Sequence, residues 1–324
     1  MTNNRMKVVV TDYDYPSLDL ERKVLEEINP EFVGAHCTTE EEVIAAAKDA
    51  HGILNQYAPI TERVINSLDR CKVISRYGVG VDSIDVEAAT ERGIIVANVP
   101  DYCVDEVSTH AMALILGCAR KIPYLSTTVK KGKWDFTVGK PLFRSRGRVL
   151  GLFGLGRIAK AVARKAKGFN LQIIAYDPYI SEANEEVKLV SISELLSNSD
   201  FISIHAPLTQ ETKHSFGKEQ FKAMKKNAYL INTARGAIVD EFALYRALKE
   251  GWIAGAALDV REKEPPDPKN SLLKLDNVII TPHISYYSEE SYAELKTKTA
   301  QAVLDVLKGE LPKAIVNPQV VKER

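Results

Sequence analysis

Long apolar runs, clustered cysteines and a surplus of one charge are all missing from this chain of 324 residues. No window approaches the roughly 18 uninterrupted apolar residues of a transmembrane helix. The N-terminal run Met1–Val10 holds an apolar stretch shorter than the about 7–15 residues of a signal-peptide core. Membrane and secretory roles are therefore not expected. Lys plus Arg and Asp plus Glu both number 43, whereas chains that grip nucleic acid or anionic membranes usually carry a basic surplus. Cys37, Cys71, Cys103 and Cys118 stand far apart, with no C-x-x-C pair. This spacing argues against a disulfide framework or a metal site. The thiols read as reduced and mostly buried, in a cytoplasmic protein.

What is present is the balance of a globular protein, 45% apolar and 27% charged. The length suits about two domains. Short β-branched runs alternate with longer helical patterns. Candidate strands are Lys7–Thr11, Ile53–Asn55, Val73–Arg76 and Ile94–Ala97, then Val149–Phe153, Ile173–Tyr176, Phe201–Ile204, Tyr229–Asn232, Ala256–Leu258 and Val278–Thr281. Near-continuous apolar strands separated by helices imply parallel sheets covered on both faces, hence an α/β fold. A change of unit falls near Asn98-Val99-Pro100, because proline favours extended backbone before it. Residues Val107–Thr128 read as one helix, with Ala111, Leu114, Ile115 and Cys118 at helical spacing. Another helix covers Ser288–Leu307, capped by Ser288.

The strand Val149–Phe153 ends at Gly154-Leu155-Gly156-Arg157-Ile158-Ala159. This G-x-G-x-x-A in a strand–turn–helix setting is a dinucleotide fingerprint. Gly154 allows the tight turn, Gly156 lets the backbone approach a pyrophosphate, and Ala159 lets helix and strand pack closely. A pyrophosphate is favoured at the helix N-terminus by free N–H groups and the dipole. Asp177 ends the next strand, where a carboxylate can hold both ribose hydroxyls and repels a 2′-phosphate, so NAD is expected over NADP.

Three later strand ends carry Arg235, Glu264 and His283. Residues at carboxyl ends of a doubly wound sheet line its ligand crevice. The three residue types suit hydride transfer between a ketone and an alcohol. Arginine clamps a carboxylate with two hydrogen bonds, histidine moves a proton, and a carboxylate holds the imidazole tautomer.

Taken together, Arg76-Tyr77-Gly78-Val79-Gly80-Val81-Asp82, Asn98–Cys103, Gly154–Asp177, His205–Thr209, Asn232–Gly236, Asp259–Pro265 and Thr281-Pro282-His283 resemble the D-isomer-specific 2-hydroxyacid dehydrogenases. Within them the chain looks like the C-terminal-binding-protein-like branch. The resemblance implies a Rossmann NAD-binding domain, 101–287, inserted into a flavodoxin-like substrate domain, 1–100 and 288–324. It implies that Arg235, Glu264 and His283 are catalytic, with His283 the proton donor in reduction. Glu264 fits rather than Glu262, because it directly precedes Pro265. His205 matches a cofactor-side segment rather than the acid. Ala206, Pro207, Thr233, Ala234, Asp259 and His283 would border NAD, alongside the glycine-rich turn. Val79 and Gly80 would offer backbone N–H groups to the substrate carboxylate, with Arg76, Arg235 and Tyr286 as further substrate contacts. Tyr286 stands where the branch typically has Trp, which leaves the side-chain preference of the substrate open. The family further implies a homodimer built through the 107–128 helix and the arm after it.

The resulting expectation is an enzyme that interconverts a small 2-oxo acid and its D-2-hydroxy acid, acting on neither nucleic acid nor membrane. An alternative is an NADH-sensing, corepressor-like interaction protein with little turnover. The complete Arg, Glu and His set favours the enzyme.

Overall fold

Five strands build one sheet: β1 (Lys7–Val10), β2 (Glu31–Gly34), β3 (Gly52–Asn55), β4 (Val73–Arg76) and β5 (Ile95–Ala97). They run in the order β2-β1-β3-β4-β5 with every pairing parallel, which is the flavodoxin-like order. Val8, Val9, Val10, Ile53, Leu54 and Ile74 are fully buried, as strands covered on both faces must be. The structure is a computed structural model that describes residues 5–182 and 187–322. The first four residues of the N-terminal run read above lie outside them.

This sheet belongs to a unit made of Met1–Tyr102 and Ser288–Arg324, while Cys103–Tyr287 forms a second unit. Helix Glu289–Leu307 starts at Ser288, whose hydroxyl accepts from Ser291 N. It packs against β3 and β4 so closely that a Cβ on Gly52 would lie 2.7 Å from Val303 Cγ1. β2 is absent from the strands expected above. Its residues are only half covered, so neither a continuous apolar run nor a strong alternation marks this edge strand.

The second unit holds β6 (Val149–Phe153), β7 (Gln172–Tyr176), β8 (Lys188–Leu189), β9 (Phe201–Ile204), β10 (Tyr229–Asn232), β11 (Gly255–Leu258) and β12 (Val278–Ile280). Their order is β12-β11-β10-β9-β6-β7-β8, all parallel. This is the Rossmann order with one more strand, and the direction of progression reverses between β6 and β9. One face packs Leu150, Leu152 and Ile231 against Ala111, Ile115 and Val162. The other packs Ile202, Ile204 and Leu230 against Phe216, Phe221 and Leu244.

The helix expected over 107–128 is instead two helices, Val104–Arg120 and Ile122–Lys130. Lys121 between them is left-handed, with φ of 51°, and its N–H returns to the Cys118 carbonyl. Pro123 is the physical reason: it has no N–H to continue the ladder, and its ring crowds the preceding turn. Thr11 and Thr281 lie just past the strands that were expected to include them. All four cysteines are free thiols. Burial pushes Cys118 up to about 12, which keeps it protonated. No helix among the described residues is long and apolar enough to cross a membrane.

Asn317 ties the C-terminal segment to β5. Its Nδ2 donates to Thr90 Oγ1 (3.0 Å) and the Ile94 carbonyl (2.9 Å), and its Oδ1 accepts from Val96 N (2.8 Å). The side chain is fully buried, so Asn317→Ala strands buried backbone groups. The expected loss is about 1–3 kcal/mol, read as a lower urea midpoint. An unchanged midpoint would show that this bracket carries no stability.

Candidate active site

β6 runs out into Gly154, whose φ is 90°. A Cβ there would lie 2.9 Å from Ala206 N and 3.0 Å from the His205 carbonyl carbon. Glycine is thus required twice, by conformation and by the strand-end loop of β9 pressing on the turn. Gly156 caps helix Arg157–Lys167 without any side-chain bond to its N–H groups. A Cβ on Gly156 would meet nothing within 4 Å. The helix therefore presents open space and unsatisfied N–H donors, as an anion requires. Leu155 is buried, whereas Arg157 is exposed and Ile158 partly covered.

Asp177 follows β7. Its Oδ2 accepts from Leu155 N (2.9 Å) and its Oδ1 from Tyr179 N (3.0 Å). Each oxygen keeps a lone pair for a hydroxyl. Ala206 and Pro207 follow β9, and Thr233 and Ala234 follow β10. The Thr233 hydroxyl is buried with no hydrogen-bond partner in the protein, so a polar group of a ligand would satisfy it. An open helix end, a carboxylate with spare lone pairs and an orphaned hydroxyl at three strand ends of one parallel sheet fit a dinucleotide. His205 lies along the same edge. Burial lowers its imidazole to about 4, and Nε2 meets Ser203 Oγ at 2.9 Å. It is neutral at ordinary pH and poorly suited to deliver a proton.

His283 follows β12 with a left-handed φ of 51°. Its backbone N donates to the Asp259 carbonyl (2.8 Å), and its Nδ1 lies 2.6 Å from Glu264 Oε2. Glu264 Oε1 accepts from Arg261 N (2.7 Å). Burial raises the Glu264 carboxyl, but the bonds from His283 and Arg261 outweigh it and hold the group below its usual value. The carboxylate is therefore ionised against the ring. Tyr286 sets its ring edge-on to His283, 6.2 Å between centroids.

Arg235 follows β10, and its Nη1 donates to the Ala234 carbonyl (2.8 Å). Buried Asn232 shapes this loop, accepting from Ala234 N and donating to the Arg235 carbonyl. A Cβ on Gly236 would lie 1.9 Å from the Arg261 carbonyl carbon. Only glycine lets the Arg235 loop approach the loop that carries Glu264.

In the first unit, Arg76 ends β4, and its Nη1 donates to the Tyr77 carbonyl. Gly78 has a φ of 139°, and its carbonyl accepts from Val99 N (2.9 Å). Asn98 Nδ2 donates to the Val79 carbonyl (2.6 Å). The N–H groups of Val79 and Gly80 donate to no protein acceptor among the described residues.

Two brackets of this site are not apparent from the residue order. Asp259 is 1% exposed. It accepts from Thr281 Oγ1 (2.5 Å), Ile284 N (3.0 Å) and Ser285 N (2.9 Å). Its carboxylate thus organises the whole turn around His283. With its proton spent on Asp259, the Thr281 hydroxyl accepts from His110 Nε2 (3.1 Å). Buried Arg261 pairs with Glu241 through Nε (2.7 Å) and Nη2 (2.8 Å), which fixes the strand-end loop bearing Glu264. Burial raises Glu241, but the bonds from Arg261 and Glu262 N outweigh it, so it is held low.

Asp259→Asn replaces one acceptor oxygen by a donor that faces N–H groups. The turn bearing His283 shifts, and kcat should fall on the order of 10²-fold. Burial raises Asp259, yet its hydrogen bonds hold the carboxyl below the usual aspartate value. It therefore contributes stability that is complete above that usual value and is lost as pH falls toward the depressed one. The gap in Tm between wild type and Asp259→Asn should be widest at neutral pH and shrink in acid. A gap independent of pH would contradict the ionised bracket.

Residues 112–285 match the sequence profile of the D-isomer specific 2-hydroxyacid dehydrogenase, NAD binding domain. The chain is 46% identical to a D-3-phosphoglycerate dehydrogenase of Methanocaldococcus jannaschii, over 98% of this chain but only 61% of that protein. It thus spans less than two thirds of that relative's length. It is 41% identical to a glyoxylate reductase of Korarchaeum cryptofilum, over 87% of each chain. The fold superposes on the crystal structure of D-lactate dehydrogenase from Aquifex aeolicus complexed with NAD and lactic acid. The TM-score is 0.86 at 30% identity, covering 96% of this chain and 99% of that one. The glycine turn, Asp177 and the matched profile make NAD the cofactor of the second unit. On its profile, its relatives and its fold, the chain belongs to the D-isomer-specific 2-hydroxyacid dehydrogenase family.

Proposed function

We propose that the protein interconverts a small 2-oxo acid and its D-2-hydroxy acid, with His283 as proton donor and acceptor. The observation that carries this reading is the 2.6 Å contact between His283 Nδ1 and an ionised Glu264, at the strand ends of a dinucleotide-binding sheet. NAD, when bound, supplies or takes the hydride. In reduction, His283 gives the proton on Nε2 to the oxygen that was the ketone. Glu264 keeps a proton on Nδ1 and stabilises the imidazolium that stands ready. Arg235, aimed by its bond to the Ala234 carbonyl, orients the acid and polarises its carbonyl. In the first unit, the unengaged N–H groups of Val79 and Gly80, with Arg76, form the seat proposed for the carboxylate. Tyr286, packed on the His283 ring, bears on the substrate side chain. A sensor with little turnover needs no charged carboxylate against that ring, so the contact favours the enzyme.

A homodimer and a cytoplasmic setting complete the reading. Helix Ile122–Lys130 and the segment after it expose Ile122 (59%), Trp134 (90%) and Phe136 (78%). An apolar surface of this kind suits cover by a second copy. Four free thiols suit a reducing compartment.

A steady-state screen of 2-oxo acids with NADH tests the activity, and turnover of none would overturn it. Glu264→Gln keeps the shape but removes the charge beside the imidazole. The alkaline limb of kcat/KM for reduction should then move to lower pH, provided that chemistry limits the rate. His283→Ala should lose on the order of 10²–10⁴-fold at every pH. A limb that stays in place in Glu264→Gln would refute the pairing. For the cofactor, kcat/KM should favour NADH over NADPH, and Asp177→Ala should narrow the ratio because it removes the charge that repels a 2′-phosphate. A wild-type preference for NADPH would count against Asp177 as the ribose ligand.

A further inference from the structure

Beneath the loop Arg76–Gly80 lies a buried polar cluster that no step above uses. Glu21, on helix Asp19–Leu25, is fully buried. Tyr77 is 2% exposed and Lys296 is 6% exposed. The Tyr77 hydroxyl donates to Glu21 Oε1 (3.1 Å). Lys296 Nζ lies 3.6 Å from Glu21 Oε2 and donates to the Ser17 carbonyl (2.6 Å). It also stands 4.9 Å over the Tyr15 ring. Tyr15 in turn packs edge-on against both Tyr77 and Tyr292. One carboxylate therefore joins three separate pieces of the first unit: helix Asp19–Leu25, the loop after β4 and helix Glu289–Leu307.

Burying such a pair is costly, and apolar side chains of similar volume are often as stable or more so. Its worth must then be sought in direction rather than stability. Besides the bonds that its Gly78 and Val79 carbonyls accept from Val99 N and Asn98 Nδ2, the loop has no buried side-chain anchor except one. Gly78 and Gly80 have no side chain, and Val79 is 39% exposed. Tyr77 is the one deeply buried side chain between Arg76 and Gly80. Its backbone also works on both sides. The Tyr77 N donates to the Asn55 carbonyl (2.8 Å), and the Tyr77 carbonyl accepts from Arg76 Nη1. The Tyr77 phenol thus fixes the near end of the loop, from which the guanidinium of Arg76 and the N–H groups of Val79 and Gly80 are set, while Asn98 and Val99 hold the far end.

We propose that Glu21, Tyr77 and Lys296 are positioning residues that set the Arg76–Gly80 loop for the substrate carboxylate, acting through the hydrogen bond from Tyr77 to Glu21. This rests on the reading of that loop as the carboxylate seat. None of the three touches substrate. They hold the backbone donors in place, so that little ordering remains to be done when the acid binds.

The test uses the full chain with NADH bound. Tyr77→Phe removes one hydroxyl, and the paired Glu21→Leu/Lys296→Met replaces the ion pair by apolar groups without leaving a lone buried charge. In both, KM for the best 2-oxo acid should rise about three- to tenfold. The Kd of oxalate, a carboxylate probe followed by NADH fluorescence, should rise in step. The Kd of NADH should stay as in wild type, and the paired variant should keep its Tm. A purely structural role predicts the reverse, a lower Tm with KM and oxalate affinity unchanged, and that result would overturn the proposal. If the wild type binds no oxalate, the seat itself is misassigned. If it binds oxalate but both variants match it, only the positioning role fails.

Discussion

Parallel pairing of every strand is the constraint on which the rest depends. In a parallel sheet the chain must return along a crossover before each new strand, so all strands of a unit end at the same edge. In the second unit, Gly154, Asp177, His205, Thr233, Asp259 and His283 each stand at or just beyond such an end. They come from six different strands and would be scattered in any antiparallel arrangement. The first unit repeats the geometry on a smaller scale, where Arg76 ends β4 and Gln56 and Asn98 follow β3 and β5. Backbone N–H groups past a strand end have no ladder partner. That is why such an edge offers donors to an anion.

The same edge must also hold its loops still, and it does so with carboxylates. Asp259 gathers the turn around His283, Glu241 grips Arg261, and Glu21 fastens Tyr77. At the opposite edge, Asp200 does the same, accepting from Val149 N at the foot of β6 and pairing with Lys225. An ionised carboxylate accepts several strong bonds from N–H and O–H groups, which a neutral side chain cannot match. Desolvation is offset only where enough donors converge, as at Asp259 and Glu241, both held low despite burial. Glu21 has fewer donors, and burial leaves its carboxyl above the usual value, with Lys296 and Tyr77 opposing. The carboxylate proposed for catalysis obeys the same balance. Glu264 is only half-buried and receives two donors, so it remains charged beside His283.

Requirements met within a few residues were legible in the order of amino acids. Gly154 needs its left-handed φ, Ala159 needs its small size, and Ser288 needs to start a helix; each follows from local backbone chemistry. The apolar runs of β1, β3 and β9 announced buried parallel strands for the same reason. Pro123 was also a local signal, but helical periodicity on either side masked the break at Lys121. The edge strands β2 and β8 gave too little, being short and half-polar.

Roles created by distant partners could not be read that way. Arg261 looks like a solvated loop residue until Glu241 takes two of its three side-chain nitrogens. Asp259 is one acidic letter until Thr281, Ile284 and Ser285 converge on it, and Lys296 lies hundreds of residues from the Ser17 carbonyl that it caps. A charge in water is interchangeable with its neighbours. Once folding strips the water away, each must find particular donors or acceptors. Local chemistry along the chain therefore settled the class of fold and the shape of the glycine turn, and supplied the residue types proposed for the reaction. Burial and long-range convergence settled which charges became the brackets that aim them.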